Sequence, residues 1–132
     1  MPKKILVVEG NPAVRDYLEK RLKVHYEVRT ACNGEDGFKI AKEWLPDLIT
    51  TEFRLPGIDG LEFRKLLTGN EPTSSIPIIM ITGYPSAELF DTCREEGFFA
   101  VLTKPFELEL LSGIAQRALR REQYSPAQTN QP

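Results

Sequence analysis

The amino-acid sequence predicts an α/β protein with a doubly wound, five-stranded parallel sheet in the order 2-1-3-4-5 and helices on both faces. Short apolar runs alternate five times with segments of helical periodicity, a pattern typical of chains that form parallel sheets. Helix caps and turns rich in Gly and Pro separate these segments. Because crossovers between parallel strands are right-handed, few strand orders remain, and 2-1-3-4-5 is common among doubly wound sheets.

The predicted strands differ in exposure. The β-branched run at residues 5–8 indicates a strand buried on both faces. The alternation of Tyr26, Val28 and Thr30 with charged residues indicates a half-exposed edge strand. The predicted strands are residues 5–8, 26–31, 48–52, 77–82 and 100–103.

Each predicted strand is followed by a predicted helix. Asn11 with Pro12 indicates the start of the first, and Asn33-Gly34 the start of the second, which Pro46 stops. The other helices are expected at residues 61–67, 86–96 and 107–121. The side chains expected to face the core include Val14, Tyr17, Leu18, Leu22, Phe38, Ala41, Leu45, Leu66, Leu67, Leu89, Phe90, Cys93, Leu111, Ile114, Ala115, Ala118 and Leu119, while Arg15 is expected to face water.

The chain length of 132 residues fits one domain, which we place at residues 1–121. Residues 122–132 are polar and include two prolines, so they are predicted to be a disordered tail or a truncated linker. A hydrophobic fraction of 41% and a charged fraction of 27% are typical of a soluble globular protein.

Charge and hydropathy exclude several classes of function. A net charge of −2 with interspersed signs argues against a nucleic-acid-binding module, which normally carries a basic face. No apolar stretch approaches the roughly 20 residues that span a bilayer. Cys32 and Cys93 lie far apart and fit no metal-ligand spacing, so both are expected to be reduced thiols. These features predict a cytoplasmic protein.

Four polar side chains follow four predicted strands. They are Glu9, Glu52, Thr82 and Lys104. Because the carboxyl ends of parallel strands share one edge of the sheet, these residues are expected to converge in a small polar pocket at the usual binding crevice. The alternative is that they are ordinary polar residues at strand ends that meet water.

Several segments, in order, resemble the response-regulator receiver domains of two-component systems. The resemblance extends from Lys4 to about Leu119 and implies a flavodoxin-like receiver fold. The matching segments are ILVV at residues 5–8, NGE at 33–35, PDLI at 46–49, LPGIDG at 55–60, PIIMITG at 77–83 and TKPF at 103–106.

The resemblance implies a defined chemistry at the strand ends. An aspartate ending the third strand attacks a phosphoryl group as a covalent nucleophile. Magnesium, held by this aspartate and by an acid pair after the first strand, neutralises the phosphoryl oxygens. A hydroxyl after the fourth strand and a lysine after the fifth then hold the attached phosphate.

This sequence departs from the family pattern at the acidic positions. Glu9-Gly10 stands at the acid pair, so the acid expected to contact magnesium directly is replaced by a glycine. Glu52 stands at the phospho-acceptor position, and its extra methylene moves the carboxylate by about 1.5 Å, enough to disturb positional catalysis. We therefore expect no catalytic residue, no enzymatic activity, no cofactor, and magnesium binding that is weak or absent.

The phosphate-contact positions are kept, as Thr82 and Lys104, but the aromatic switch position is occupied by Val101. Arg54 lies in the loop expected to give the metal a backbone carbonyl. Its guanidinium either enters the degenerate acidic pocket and pairs with Glu9 or Glu52, or remains solvated. Both hypotheses stay open.

These features predict a pseudo-receiver that acts by protein–protein interaction in a phosphorelay-type pathway. The resemblance implies a partner on the face formed by helix 4, strand 5 and helix 5. The partner would be a sensor kinase, another regulator, an output domain or a second copy of the chain. Glu52 extends a negative charge towards Thr82 and Lys104 and would partly imitate a phosphoryl group.

Two alternatives remain. The domain could still receive phosphate from a histidine kinase on a non-standard acceptor, with Thr50, Thr51 and Asp59 as candidates. A flavodoxin-like cofactor-binding protein shares the predicted fold, because fold does not fix function. Against it, the first loop, EGNP at residues 9–12, lacks the hydroxyls that would hold a flavin phosphate.

Overall fold

The computed structural model describes residues 2–121, so the predicted tail at 122–132 lies outside the described residues. The elements are β1 (Lys4–Val8), α1 (Pro12–Leu22), β2 (Glu27–Ala31), α2 (Gly34–Trp44), β3 (Leu48–Thr51), α3 (Gly60–Thr68), a 3₁₀ turn (Glu71–Thr73), β4 (Ile78–Thr82), α4 (Ala87–Glu95), β5 (Ala100–Thr103) and α5 (Leu108–Leu119). The five strands pair in parallel in the order β2-β1-β3-β4-β5, which confirms the predicted fold.

Strand register brings the carboxyl ends of the central strands to one edge. Val8 of β1 lies opposite Thr51 of β3, and Thr82 of β4 lies opposite Thr103 of β5. The ladder continues one residue further, because the Glu52 amide donates to the Val8 carbonyl at 3.0 Å and the Lys104 amide to the Thr82 carbonyl at 2.9 Å. The residues that follow β1, β3 and β5 therefore share this edge.

The sheet separates two apolar layers. On one side α2, α3 and α4 pack against it, with Ala41, Phe63 and Cys93 fully buried. On the other side α1 and α5 pack against it, with Leu18 and Leu111 buried. Because both faces are covered, residues 5–8 of β1 and 78–81 of β4 are all apolar and buried, as predicted for β1, whereas β3 ends in two buried threonines.

Caps fix where the helices begin, and these agree with the predicted starts. The side chain of Asn11 accepts from the amides of residues 13 and 14, and that of Asn33 accepts from Asp36. Asp59 and Glu62 form a capping box at the start of α3, so this helix begins one residue earlier than predicted. Other boundaries differ from the predicted ones by one or two residues, as frayed ends do.

Several predicted side-chain orientations are wrong. Tyr17, Leu45 and Leu66 are 40–45% exposed rather than in the core, whereas Phe63 is fully buried. Leu45 caps α2 in the left-handed region with φ 50°, which ends the helical face on which it would be buried. Arg15 is half-buried instead of facing water, and its guanidinium donates to the Glu9 carbonyl at 2.9 Å.

Candidate functional site

The pocket at the carboxyl edge of the sheet contains two carboxylates that share one ammonium group. Nζ of Lys104 lies 2.7 Å from Oε1 of Glu9 and 2.9 Å from Oε1 of Glu52. The two glutamate side chains are each 4% exposed and the lysine side chain 21%. Residues from the ends of β1, β3 and β5 are thus joined by one largely buried ionic cluster.

Backbone amides hold the two carboxylates in place. Oε2 of Glu9 accepts from the Asn11 amide at 3.0 Å. Oε1 of Glu52 accepts from the Gly83 amide at 3.2 Å, and its Oε2 accepts from the amides of Phe53 and Arg54. Each carboxylate oxygen named here therefore has a donor, which is the arrangement that buried charges require.

Two opposing effects act on Lys104. Burial by itself lowers the pKa of this lysine, but hydrogen bonds to Glu9 and Glu52, together with the charges of both carboxylates, raise it more. The net result is a pKa above the ordinary value for lysine. The ammonium form is therefore the stable form in the folded protein at neutral pH.

Thr82 lies at the same edge, but within residues 2–121 its hydroxyl forms no hydrogen bond with Glu9, Glu52 or Lys104. Its side chain is fully buried, and its hydroxyl oxygen accepts from the Tyr84 amide at 3.0 Å. The sequence analysis expected a pocket of four polar residues, and the structure places all four at one edge.

Of the two hypotheses drawn from the sequence for Arg54, the exposed position of this residue agrees with the solvated arginine and not with entry into the acidic pocket. Its guanidinium stacks over the ring of Tyr84 with 4.4 Å from Cζ to the ring centroid. Within residues 2–121, the ion pairs of Glu9 and Glu52 are with Lys104, not with Arg54. Arg54 and Tyr84 line a cavity of about 570 Å³ together with Glu9, Glu52 and Lys104.

Tyr84 was missed in the sequence analysis. Its ring is exposed, and it follows the end of β4 by two residues, as Arg54 follows the position of Glu52. Both residues lie two or three positions beyond the end of neighbouring strands, and this placement was the available signal, because parallel strand ends carry their following loops to the same edge.

Comparison with known proteins identifies the family. Residues 5–116 match the response regulator receiver domain. The chain belongs to this family. Among relatives, it is 31% identical to the polar-differentiation response regulator DivK of Brucella anthropi over 112 residues, which are 82% of this chain and 89% of DivK. This chain is a response-regulator receiver domain of two-component signalling. Domains of this family are in general signalling domains rather than enzymes.

The chain is also similar to longer proteins and to solved structures. The chain is 32% identical to the DNA-binding dual master transcriptional regulator RpaA of Synechocystis over 96% of its own length, but over 52% of RpaA. It thus spans about half the length of several curated relatives that it matches. The chemotaxis response regulator CheY4 of Vibrio cholerae superposes with a TM-score of 0.82 at 28% identity, covering 89% of this chain and 99% of that one.

The pocket of this receiver domain does not fit a magnesium ion. Magnesium requires near-octahedral oxygen ligands, and residues 2–121 contain no group of three or more His, Cys, Asp or Glu side chains placed to hold a metal. Gly10 offers no side-chain ligand at the position of the second acid. The ammonium of Lys104 already bridges the two carboxylates that remain.

The switch position lies in the core. Val101 is fully buried in the layer formed with α2, α3 and α4 and lies opposite Met80 of β4. A β-branched aliphatic side chain has no ring to swing between inward and outward positions.

Within the part of the chain that the structure describes, every helix is too short or too polar to cross a lipid bilayer.

Proposed function

We propose that this domain is a pseudo-receiver that signals by protein–protein interaction and does not undergo magnesium-dependent aspartyl phosphorylation. The observation that supports this most directly is the bridge from Lys104 to both Glu9 and Glu52, at 2.7 and 2.9 Å. The cation that would hold an attached phosphate is engaged by the protein's own carboxylates. We propose that residues 1–121 form the receiver domain that makes this interaction.

The bridge gives the pocket a permanent charge pattern. Glu52 supplies one negative charge to Lys104, whereas an aspartyl phosphate would supply close to two. Glu52 also accepts from the Gly83 amide, at the start of the segment that leads into α4. Its carboxylate therefore connects the end of β3 with both ends of the segment 83–104.

The surface that carries the signal in this proposal is formed by α4, β5 and α5. Its occupant is a sensor kinase, another regulator, an output domain or a second copy of the chain. The segment from Gly83 to Lys104 contains α4 and β5, so contacts of Glu52 at both ends of this segment fix the arrangement of that face. Val101, without a ring to reorient, supports a face that stays in one arrangement.

The test removes the negative charge of Glu52 and keeps the size of its side chain. Glu52→Gln removes the negative charge opposite Lys104, and we expect amide shifts throughout residues 83–106 and altered affinity for a partner recovered from the native cell. Glu43→Gln is the matched control, because Glu43 is exposed on α2. If Glu52→Gln leaves residues 83–106 and partner binding as they are in the control, the proposed coupling is wrong.

A phosphodonor experiment addresses the alternative of a non-standard acceptor. Asp59 is occupied in a capping box, and the Thr51 hydroxyl donates to the Glu52 carbonyl at 3.0 Å. Thr50 is buried. We expect no added phosphoryl mass after incubation with acetyl phosphate and magnesium or with a histidine kinase. A phosphorylated intact protein would favour the alternative instead.

A further inference from the structure

A second cavity lies at the opposite edge of the sheet. Its volume is about 330 Å³, and it is bordered by the residues that precede β4 and β5, including Ser75 and Phe98. Three guanidinium groups line it, from Arg64 of α3, Arg94 of α4 and Arg121 just after α5. Its lining, within residues 2–121, includes no carboxylate side chain.

The backbone holds two of these arginines in position. Nε and Nη2 of Arg64 donate to the carbonyls of Glu96 and Gly97 at 3.2 and 3.3 Å. Nη1 of Arg121 donates to the Ser75 carbonyl at 3.2 Å. A guanidinium has five N–H donors in a rigid fork, so these bonds fix its orientation and leave capacity for an additional acceptor.

Gly97 lies next to the guanidinium of Arg64. Its φ of +82° lies in the left-handed region, and a Cβ atom there would lie 3.1 Å from Nη2 of Arg64. A side chain at residue 97 would therefore crowd the guanidinium. The left-handed backbone at this position favours glycine.

Within residues 2–121, Arg64 and Arg121 form no ion pair with a carboxylate. Burial lowers the pKa of Arg64, and the charge of Glu96 only partly opposes this effect. Arg94 pairs with Asp91 at 2.9 Å, but both side chains are more than half exposed, so this contact is weak and the guanidinium can be redirected. An anion between the arginines would restore charge balance.

Chemistry and size indicate the class of ligand. Guanidinium forks bind phosphate oxygens in pairs, and Ser75 adds an exposed hydroxyl donor at the border of the cavity. A volume of about 330 Å³ admits a small molecule rather than a helix or a strand. We propose that this cavity binds the phosphate or diphosphate group of a small soluble ligand.

The first experiment titrates inorganic pyrophosphate at constant ionic strength and follows amide shifts by NMR. We expect saturable shifts confined to the segments that line the cavity, at residues 64, 74–77, 94–99 and 121. The double variant Arg94→Gln, Arg121→Gln should weaken binding about tenfold, because two charge-assisted contacts are lost. Arg94 is exposed, so Arg94→Gln alone provides a variant that keeps the fold.

Two further variants make the test specific. Arg21→Gln makes the same change on an exposed arginine of α1 and should leave the pyrophosphate affinity unchanged. Arg64→Lys keeps the charge, loses the fork, and should still weaken binding. Shifts that fail to saturate by about 10 mM pyrophosphate, or that respond equally to Arg21→Gln and Arg94→Gln, would overturn the proposal.

A lipid headgroup presents the same chemical group, so a second experiment separates the two sources. Vesicles of phosphatidylcholine that contain phosphatidic acid should leave the protein in the supernatant, because the cavity is a pocket of about 330 Å³ and not a flat surface. Sedimentation of the protein with these vesicles, lost in Arg94→Gln, would show that a membrane and not a soluble molecule supplies the phosphate.

Discussion

Glu52 is one methylene longer than the aspartate that receiver domains use as phospho-acceptor. In this protein its carboxylate lies 2.9 Å from Nζ of Lys104 and accepts from the Gly83 amide at 3.2 Å. Gly10, at the position of the second acid, removes a metal ligand. We expect both changes to disfavour magnesium, because the Glu52 carboxylate is engaged by Lys104 and Gly10 supplies no carboxylate.

The non-additivity of catalytic units predicts how this loss could be repaired. Glu52→Asp alone should not restore phosphorylation by acetyl phosphate, whereas Glu9→Asp, Gly10→Asp and Glu52→Asp together should restore it in part. A Cβ at Gly10 would lie 3.1 Å from Cδ of Pro56, so the proline ring must shift by a few tenths of an ångström. Intact-mass spectrometry with and without magnesium measures the outcome.

The single variant is the control in that experiment. If Glu52→Asp alone takes up a phosphoryl group, the acceptor was the limiting defect and the substitutions at residues 9 and 10 are of little consequence. If the triple variant takes up none while it remains folded, an additional feature such as the Arg54–Tyr84 stack blocks the pocket.

At the scale of elements, Lys104 connects the end of β5 to the ends of β1 and β3. Lys104→Met keeps most of the length of the side chain and removes the charge, which leaves two buried carboxylates without their cation. Removing one member of a buried charge cluster costs about 3–5 kcal/mol, so we expect a loss of about this size in the free energy of unfolding. Urea denaturation measures it.

An exposed ion pair serves as the control. Lys20 and Asp16 pair at 3.1 Å on α1 with both side chains more than half exposed. Lys20→Met should cost less than about 1 kcal/mol, because such pairs are screened by water. Equal losses in the two variants would contradict a structural role for the buried cluster.

The raised pKa of Lys104 gives this contribution a pH dependence with a definite sign. A lysine whose pKa is higher in the folded protein stabilises the fold fully below the unfolded value, about 10.4, and this stabilisation is lost as pH rises through the folded value. The difference in unfolding free energy between wild type and Lys104→Met should therefore be constant from pH 7 to about 9 and decrease above about 10.4.

The buried thiol of Cys93 also makes the free energy of unfolding decrease as pH rises, but it does not affect the comparison of wild type with Lys104→Met. Burial raises the pKa of Cys93 to about 12, so both proteins lose stability in alkali as the unfolded thiol ionises. The contribution is common to both and cancels in the difference. A difference that stays constant to pH 12 would contradict the assignment of the shift to Lys104.

At the scale of the whole molecule, the strand order and the location of the pocket could be predicted from the sequence. Apolar runs separated by helical segments determine a parallel sheet, and a parallel sheet collects its strand ends at one edge. Tyr17 and Leu66 were misplaced because helical periodicity sets a face but not where neighbouring elements cover it. Phe63 was missed for the same reason.

Details of the pocket depended on side-chain conformation, which the sequence pattern does not contain. The proposed contact of Glu52 with Lys104 is present in the structure, but Lys104 is shared with Glu9. The Thr82 hydroxyl accepts from the Tyr84 amide instead of joining the cluster. Arg54 stacks on the ring of Tyr84 and stays exposed. Entry into the pocket would instead require the guanidinium to lose its hydration.

The choice of probe for metal binding also follows from the whole structure. The ring of Trp44 lies between Lys4 and Arg29, where Nζ is 5.4 Å and Cζ 4.7 Å from its centroid. Lys4 begins β1 and Trp44 ends α2, so the indole lies at the edge of the sheet remote from the pocket. Tryptophan fluorescence would not report on the carboxylates, whereas amide shifts of residues 9–11, 52–54, 83 and 104 would.

The central claim is that the protein's own lysine, rather than a magnesium ion, neutralises the carboxylates of the pocket. A magnesium titration followed through the amides of those residues tests it most directly, with calcium as a control for general ionic effects. We expect no saturable change in the millimolar range, because the two remaining carboxylates are already bridged at 2.7 and 2.9 Å. Saturation below about 1 mM, a binding free energy more favourable than about −4 kcal/mol, would contradict the claim.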